Sequence, residues 1–150
     1  MRLTPFGLIA AAVMPLTGFA NPRQDALEAR HGYMKVLAID MGTLAAMAKG
    51  EMDYDETAAT TAAANIEALT QYGLPALFVE GTAAGEIGES GARPAIWSDP
   101  EGFRQKYAGL GEAAAGASEA VKGGRGNVGP VVARLGGACK ACHDDFRQRN

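Results

Sequence analysis

The chain has 150 residues, 47% of them apolar and 21% charged, with a formal charge of −3 and only two Cys, two His and one Trp. That length supports one domain around one core, and ordinary apolar content with scarce cysteine excludes a disulfide-stapled miniprotein, a collagen-like repeat and a disordered tail. The acidic balance argues against a nucleic-acid partner.

Arg2 precedes an apolar run from Phe6 to Met14 that Pro15 breaks, and Gly18 and Ala20 are small residues at the −3 and −1 positions of a cleavage site. Residues 1–20 are therefore expected to be a secretory signal peptide and residues 21–150 the mature domain. The run is too short for the roughly 20 apolar residues that cross a bilayer, and no later stretch is apolar enough to span one. Loss of the segment removes Arg2 and no acid, leaving a formal charge of −4 on a chain expected in the periplasm. Arg134, Lys140, Arg147 and Arg149 gather near the C-terminus, whereas Asp53, Asp55 and Glu56 lie far upstream.

Leu27, Met34, Leu37, Met41, Leu44 and Ala48 recur at helical spacing and predict a first helix that stops at Gly50. Asp55 is a candidate N-cap for a second, carrying Ala59, Ala62, Ile66 and Leu69 and closed by Gly73 and Pro75. That seam is mostly alanine, so a neighbour must approach it closely. A Gly- and Pro-rich connection covers 73–98. Ser98-Asp99-Pro100-Glu101 resembles a capping box with proline in the first turn. It opens a third helix with a seam of Phe103, Tyr107, Leu110, Ala114, Ala117 and Val121, which Gly123 and Gly124 end. A fourth begins after Asn127, with Pro130 in its first turn and Val128, Val131, Leu135, Ala138, Cys139, Cys142 and Phe146 on adjoining rows. Nothing reads as a strand. The expected fold is all-α, an antiparallel up-down four-helix bundle whose one long connection crosses the bundle or its end.

Both cysteines and one histidine stand together as Cys139-Lys140-Ala141-Cys142-His143. On a helix all three side chains leave one surface, and this spacing is the signature of c-type haem attachment: two thioethers to the vinyl groups, with the imidazole as proximal iron ligand. Three other readings are weaker. A thioredoxin-like dithiol belongs at a strand-to-helix junction. A structural zinc needs four ligands, and only distant His31 is left to complete the set. A disulfide closing so small a loop removes little unfolded-state entropy. One covalent haem c also accounts for the alanine-rich seams and for Gly32, Gly42 and Gly137 in or near helices, because a flat apolar cofactor fills the volume they leave.

Met34 on the first helix is the candidate for the sixth iron position, either as a thioether ligand or as a space-filling core residue. Arg30, four residues earlier, pairs with the haem propionates or reaches solvent at the start of the seam. His31, one residue off the seam, belongs to the surface. Arg147 either meets the helix C-terminus or sets its charge beside His143. Trp97 is expected to anchor the long connection on the core, within possible reach of the haem edge. No nucleophile with an adjacent base, no paired catalytic carboxylates and no phosphate-cradling glycine loop appears, so substrate turnover is not expected.

These residues resemble the cytochrome c′ family, the class II c-type cytochromes, over nearly the whole mature chain. The likeness rests on Arg30-His31-Gly32-Tyr33-Met34, the run from Leu44 to Glu51 before Tyr54-Asp55, Pro94-Ala95-Ile96-Trp97, and the stretch from Cys139 to Arg147. The resemblance implies haem on Cys139 and Cys142, proximal His143 and Met34 at the distal position. High-spin members keep a vacant distal site for NO or CO, whereas in low-spin relatives a methionine there binds iron and the protein carries electrons. The expected function is one-electron transfer to redox partner proteins of a periplasmic chain. Five-coordinate gas binding is the first alternative and thiol oxidoreduction the second. The outer faces of the first two helices are a candidate homodimer contact.

Overall fold

Asn21 accepts a hydrogen bond from Gln24 N (3.3 Å) and Pro22 follows at the first helical position, so helix α1 (Pro22–Lys49) starts where its free N–H groups have a partner. It ends at Gly50, whose φ of 78° is a left-handed C-cap that returns its N–H to Met47 O. The structure, a computed structural model, describes residues 21–148; the expected signal peptide at 1–20 and Arg149 lie outside them.

Helix α2 (Glu56–Thr70) is capped as its sequence predicts, with the Asp55 carboxylate accepting from Ala58 N at 2.8 Å. Its buried face is Ala59, Ala62, Ala63 and Ile66, a surface of small side chains against which α1 packs. A 3₁₀ turn (Leu74–Leu77) and a long irregular segment lead to the short α3 (Ala95–Ser98). Helix α4 (Pro100–Ala114) takes Asp99, not Ser98, as its N-cap, through a bond from Gly102 N of 3.0 Å.

The third predicted helix does not run to Gly123. The backbone turns out at Ala115 and Gly116, the latter at φ 69°, and restarts as α5 (Ala117–Ala120). Ala114, Ala117 and Val121 are nonetheless all fully buried, so the break preserves the face that the periodicity detected. A residue from another helix supplies the missing cap: the Glu67 carboxylate accepts from Ser118 N (2.9 Å) and from its hydroxyl (3.0 Å). The last helix, α6 (Arg125–Phe146), starts earlier than expected, which puts Pro130 inside it. The residue four before this proline is Gly126, whose lack of a side chain eases the crowding a proline ring brings to the preceding turn.

Helix α1 packs on α2 and α6, and α4 packs on α2 and α6, which closes the four long helices into a bundle. Because α1 serves two neighbours, its buried stripe is rotated from the predicted seam: Tyr33, Asp40 and Met47 are buried, whereas Met41 and Ala48 are only partly so and Met34 is exposed. Leu44, Met47, Ile66, Val121, Val128 and Leu135 form the fully buried centre. A second cluster of Ala92, Ile96, Phe103 and Phe146 sits where the long connection crosses α4 and α6. Phe103 stacks edge-on against Phe78 (4.8 Å) and against Phe146 (5.3 Å). Among the described residues no helix is long and apolar enough to cross a membrane.

Candidate haem site

The two cysteines stand at the seam between the clusters: Cys139 packs against the main core and Cys142 against the aromatic one. Helical spacing puts His143 beside them, and all three border one cavity of about 620 Å³, a volume within the usual range for small-molecule sites. Leu37 and Met41 of α1, Phe103 and Leu110 of α4 and Phe78 of the connection supply its apolar walls. The thiols form no disulfide and are half-buried. Burial raises the pKa of Cys139, and burial with the neighbouring Cys139 pushes Cys142 up to about 11, the reverse of the depressed thiol of a dithiol redox catalyst. Among the described residues no three His, Cys, Asp or Glu side chains converge to hold a metal ion by themselves, so His31 does not complete a zinc set.

Burial and then the charge of Arg147 lower the pKa of His143, which favours the neutral imidazole that ligates iron. The end of α6 is fastened around it. Arg147 N donates to His143 O (3.1 Å), Arg93 N to Phe146 O (3.0 Å) and Gln148 N to Gly91 O (2.8 Å). Arg147 thus takes both positions expected of it, at the helix end and on the cavity wall near His143.

Met34 lies on the α1 side of the same cavity and is 37% exposed. His31 and Lys35 border it as well. Trp97 does not line the cavity and is the anchor the sequence suggests: its indole N–H donates to Phe78 O at 3.0 Å and holds a wall residue in place. Arg30 does not match the solvent-reaching expectation. It is 3% exposed, and its guanidinium lies 4.8 Å from the centroid of the Phe78 ring, which borders the cavity.

Sequence reasoning missed one polar feature of the wall. Tyr33 and Tyr107 meet hydroxyl to hydroxyl at 3.1 Å; Tyr107 donates to Tyr72 O (2.6 Å), and the Tyr33 proton is shared between the Tyr107 hydroxyl and Leu69 O (3.0 Å), so both tyrosines close over the end of α2. Burial, and then the bond to Tyr107, raise the pKa of Tyr33, which keeps it a protonated donor. Two tyrosines on or beside predicted seams were the available signal, since a buried hydroxyl needs a partner.

The donor set and the shape fit a haem. Thiols and imidazole share one wall, the remainder is largely apolar, and Lys35, Lys106 and Arg147 offer cations to carboxylates. Gly136, one turn before Cys139, also borders the cavity, and a Cβ built there meets nothing within 4 Å. No protein contact therefore requires this glycine, and its effect is to widen the α6 wall.

A family model described as cytochrome c′ matches residues 25–147. The chain belongs to the cytochrome c′ family. As a member it is a c-type cytochrome with one covalently attached haem c per chain, an electron-carrying or gas-binding protein and not an enzyme. It is similar to the cytochrome c-554 of Cereibacter sphaeroides, with 40% identity over 97% of this chain and 94% of the relative. Among solved structures, the cytochrome c′ of Rhodobacter sphaeroides superimposes with a TM-score of 0.81 at 41% identity, over 85% of this chain and 98% of that one. A cytochrome c′ described as having a ligand-controlled dimer dissociation gives 0.76 at 25% identity, over 87% and 98% of the two chains. The four-helix bundle is common to this cytochrome c′ chain and its structural neighbours.

Proposed function

We propose that this chain carries single electrons in the periplasm, with Cys139 and Cys142 holding the haem through thioethers, His143 as proximal ligand and Met34 as sixth ligand. The observation that carries this reading is that a thioether on α1 and an imidazole on α6 border one cavity between packed helices. When bound, the haem supplies a one-electron ferric–ferrous couple. The chain's own part is to fix the imidazole near the clasped end of α6, keep water from the apolar walls, and present a soft sulfur that favours the ferrous form. The donor pair His143 and Met34 suits a carrier; redox proteins of the same compartment are the partners.

A second reading, NO or CO binding beside a Met34 that only covers the iron, is favoured by the 37% exposure of that side chain, which is held by little packing of its own. Met34→Ala decides between them. For the carrier, the wild-type reduced spectrum is low-spin and the variant turns high-spin and takes up CO. An unchanged high-spin spectrum with rapid CO uptake by the wild type overturns the carrier reading. Secretion through residues 1–20 belongs to the same proposal, as does pairing of two copies through α1 and α2. The exposed Val36 and Ile39 on α1, with exposed Tyr72 just past the end of α2, support the pairing.

A further inference from the structure

Three of the chain's four tyrosines gather on one side of the bundle. Tyr33 is 8% exposed and borders two hollows at once: the haem cavity, and a groove of about 540 Å³ between the outer faces of α1 and α2. Tyr72 stands on the groove side and is 52% exposed. Its ring centroid is 6.1 Å from that of Tyr33 at a tilt of 33°, the spacing of a packed aromatic pair. Its backbone carbonyl accepts from the Tyr107 hydroxyl at 2.6 Å, and Tyr107 also borders the haem cavity. Surface Tyr72 is therefore joined to the cavity wall twice, ring to ring through Tyr33 and by a hydrogen bond through Tyr107. On the inner side, burial and Tyr107 raise the pKa of Tyr33 and the charge of Cys139 adds to them, so this wall tyrosine lies close to one of the two proposed attachment points.

The groove is lined by no charged residue. Ala29 and Val36 of α1 and Ala68 and Leu69 of α2 form its sides, with Asn65 as its polar side chain besides the tyrosines. Val36 and Ile39, one helical turn apart, stand on that face at 48% and 61% exposure. Two copies of a chain with a formal charge of −3 repel at long range, and an uncharged apolar face is where they can still meet. A hollow and a ridge on one face are also what a two-fold contact needs, since each copy presents the same patch to the other.

We propose that Tyr33 and Tyr72 form an electron route from the haem cavity to the α1–α2 face, and that a second copy docked there exchanges electrons through it. One electron leaves the ferrous copy and enters the ferric one. No bond forms or breaks, and the tyrosines mediate as closed-shell rings that neither lose an electron nor release a proton. Electronic coupling falls off less steeply through packed rings and hydrogen bonds than through a layer of water of the same width. The held hydroxyls suit that role, because the Tyr33 proton, fixed between Tyr107 and Leu69 O, does not move with the electron. Such a route serves a carrier and rests on that reading of the chain.

The test measures electron self-exchange by nuclear magnetic resonance in mixtures of ferric and ferrous haem-loaded protein, for wild type, Tyr72→Ala, Tyr72→Phe and Ile39→Ala. Both Tyr72 variants keep the backbone carbonyl that Tyr107 uses and change a half-exposed side chain, so the fold is expected to persist. Tyr72→Ala is expected to lower the second-order constant about tenfold with midpoint and spectrum unchanged. Tyr72→Phe keeps the ring and stays within about twofold of wild type. Ile39→Ala takes apolar area from the same face without cutting the route, and its rate falls by less than that of Tyr72→Ala. Nitration by tetranitromethane is a second readout that needs no electron transfer: Tyr72 should become protected as the protein concentration rises. Equal rates in wild type and Tyr72→Ala overturn the proposal. An equal fall in Tyr72→Ala and Ile39→Ala does the same, because contact area alone is then the cause, and so does Tyr72 nitration that is independent of concentration. A wild type without haem, or one that exchanges no electrons at all, is a different result and overturns the carrier reading, and the route with it.

Discussion

Cys139→Ser with Cys142→Ser leaves a chain from which acidified acetone extracts all of the haem, whereas wild-type protein keeps its colour in the precipitate. The half-buried thiols border the same cavity as His143, and serine keeps their size while its hydroxyl cannot form the thioether. Either single variant retains one link and remains coloured after extraction. Without covalent attachment, binding becomes reversible and stabilisation depends on free haem concentration, so the melting temperature of the double variant rises with added haem. Retention of haem by the double variant would mean that the attachment lies elsewhere.

Phe103→Ala is expected to cost about 3–5 kcal/mol, the range for truncating a buried aromatic side chain. Phe103 is 5% exposed and stacks edge-on with Phe78 on one side and Phe146 on the other, so one deletion removes the middle of an aromatic chain that joins α4, α6 and the connection. Natural domains have only about 5–15 kcal/mol in total. The check is urea unfolding of the haem-loaded variant, in which the midpoint falls with the slope preserved. A loss below about 1 kcal/mol would contradict the placement of Phe103 in the core.

How much of this was legible in the chain depends on what each signal reports. Asp55 and Gly50 marked helix ends correctly, and the Ser98 to Glu101 stretch marked the start of α4 to within one residue, because caps act within four residues of themselves. The Cys139 to His143 stretch was legible for a related reason: its geometry follows from one turn of helix. Apolar periodicity was less complete. It reports burial but not which neighbour does the burying, so the rotation of the α1 stripe from Met34, Met41 and Ala48 to Tyr33, Asp40 and Met47 escaped it. It also passed through the break at Ala115 and Gly116 unaware, because Ala114, Ala117 and Val121 stay in register across it. The hydrogen bonds of Arg30 escaped it for the opposite reason. Its partners, Thr82 and Ser90, are 52 and 60 residues away in a segment with no periodicity to read.

The most direct measurement is the intact mass of the mature wild-type protein together with a thiol titration after denaturation. Attachment through Cys139 and Cys142 predicts the polypeptide plus one haem, with no reactive thiol. The mass of the bare chain, with two reactive thiols, would contradict it.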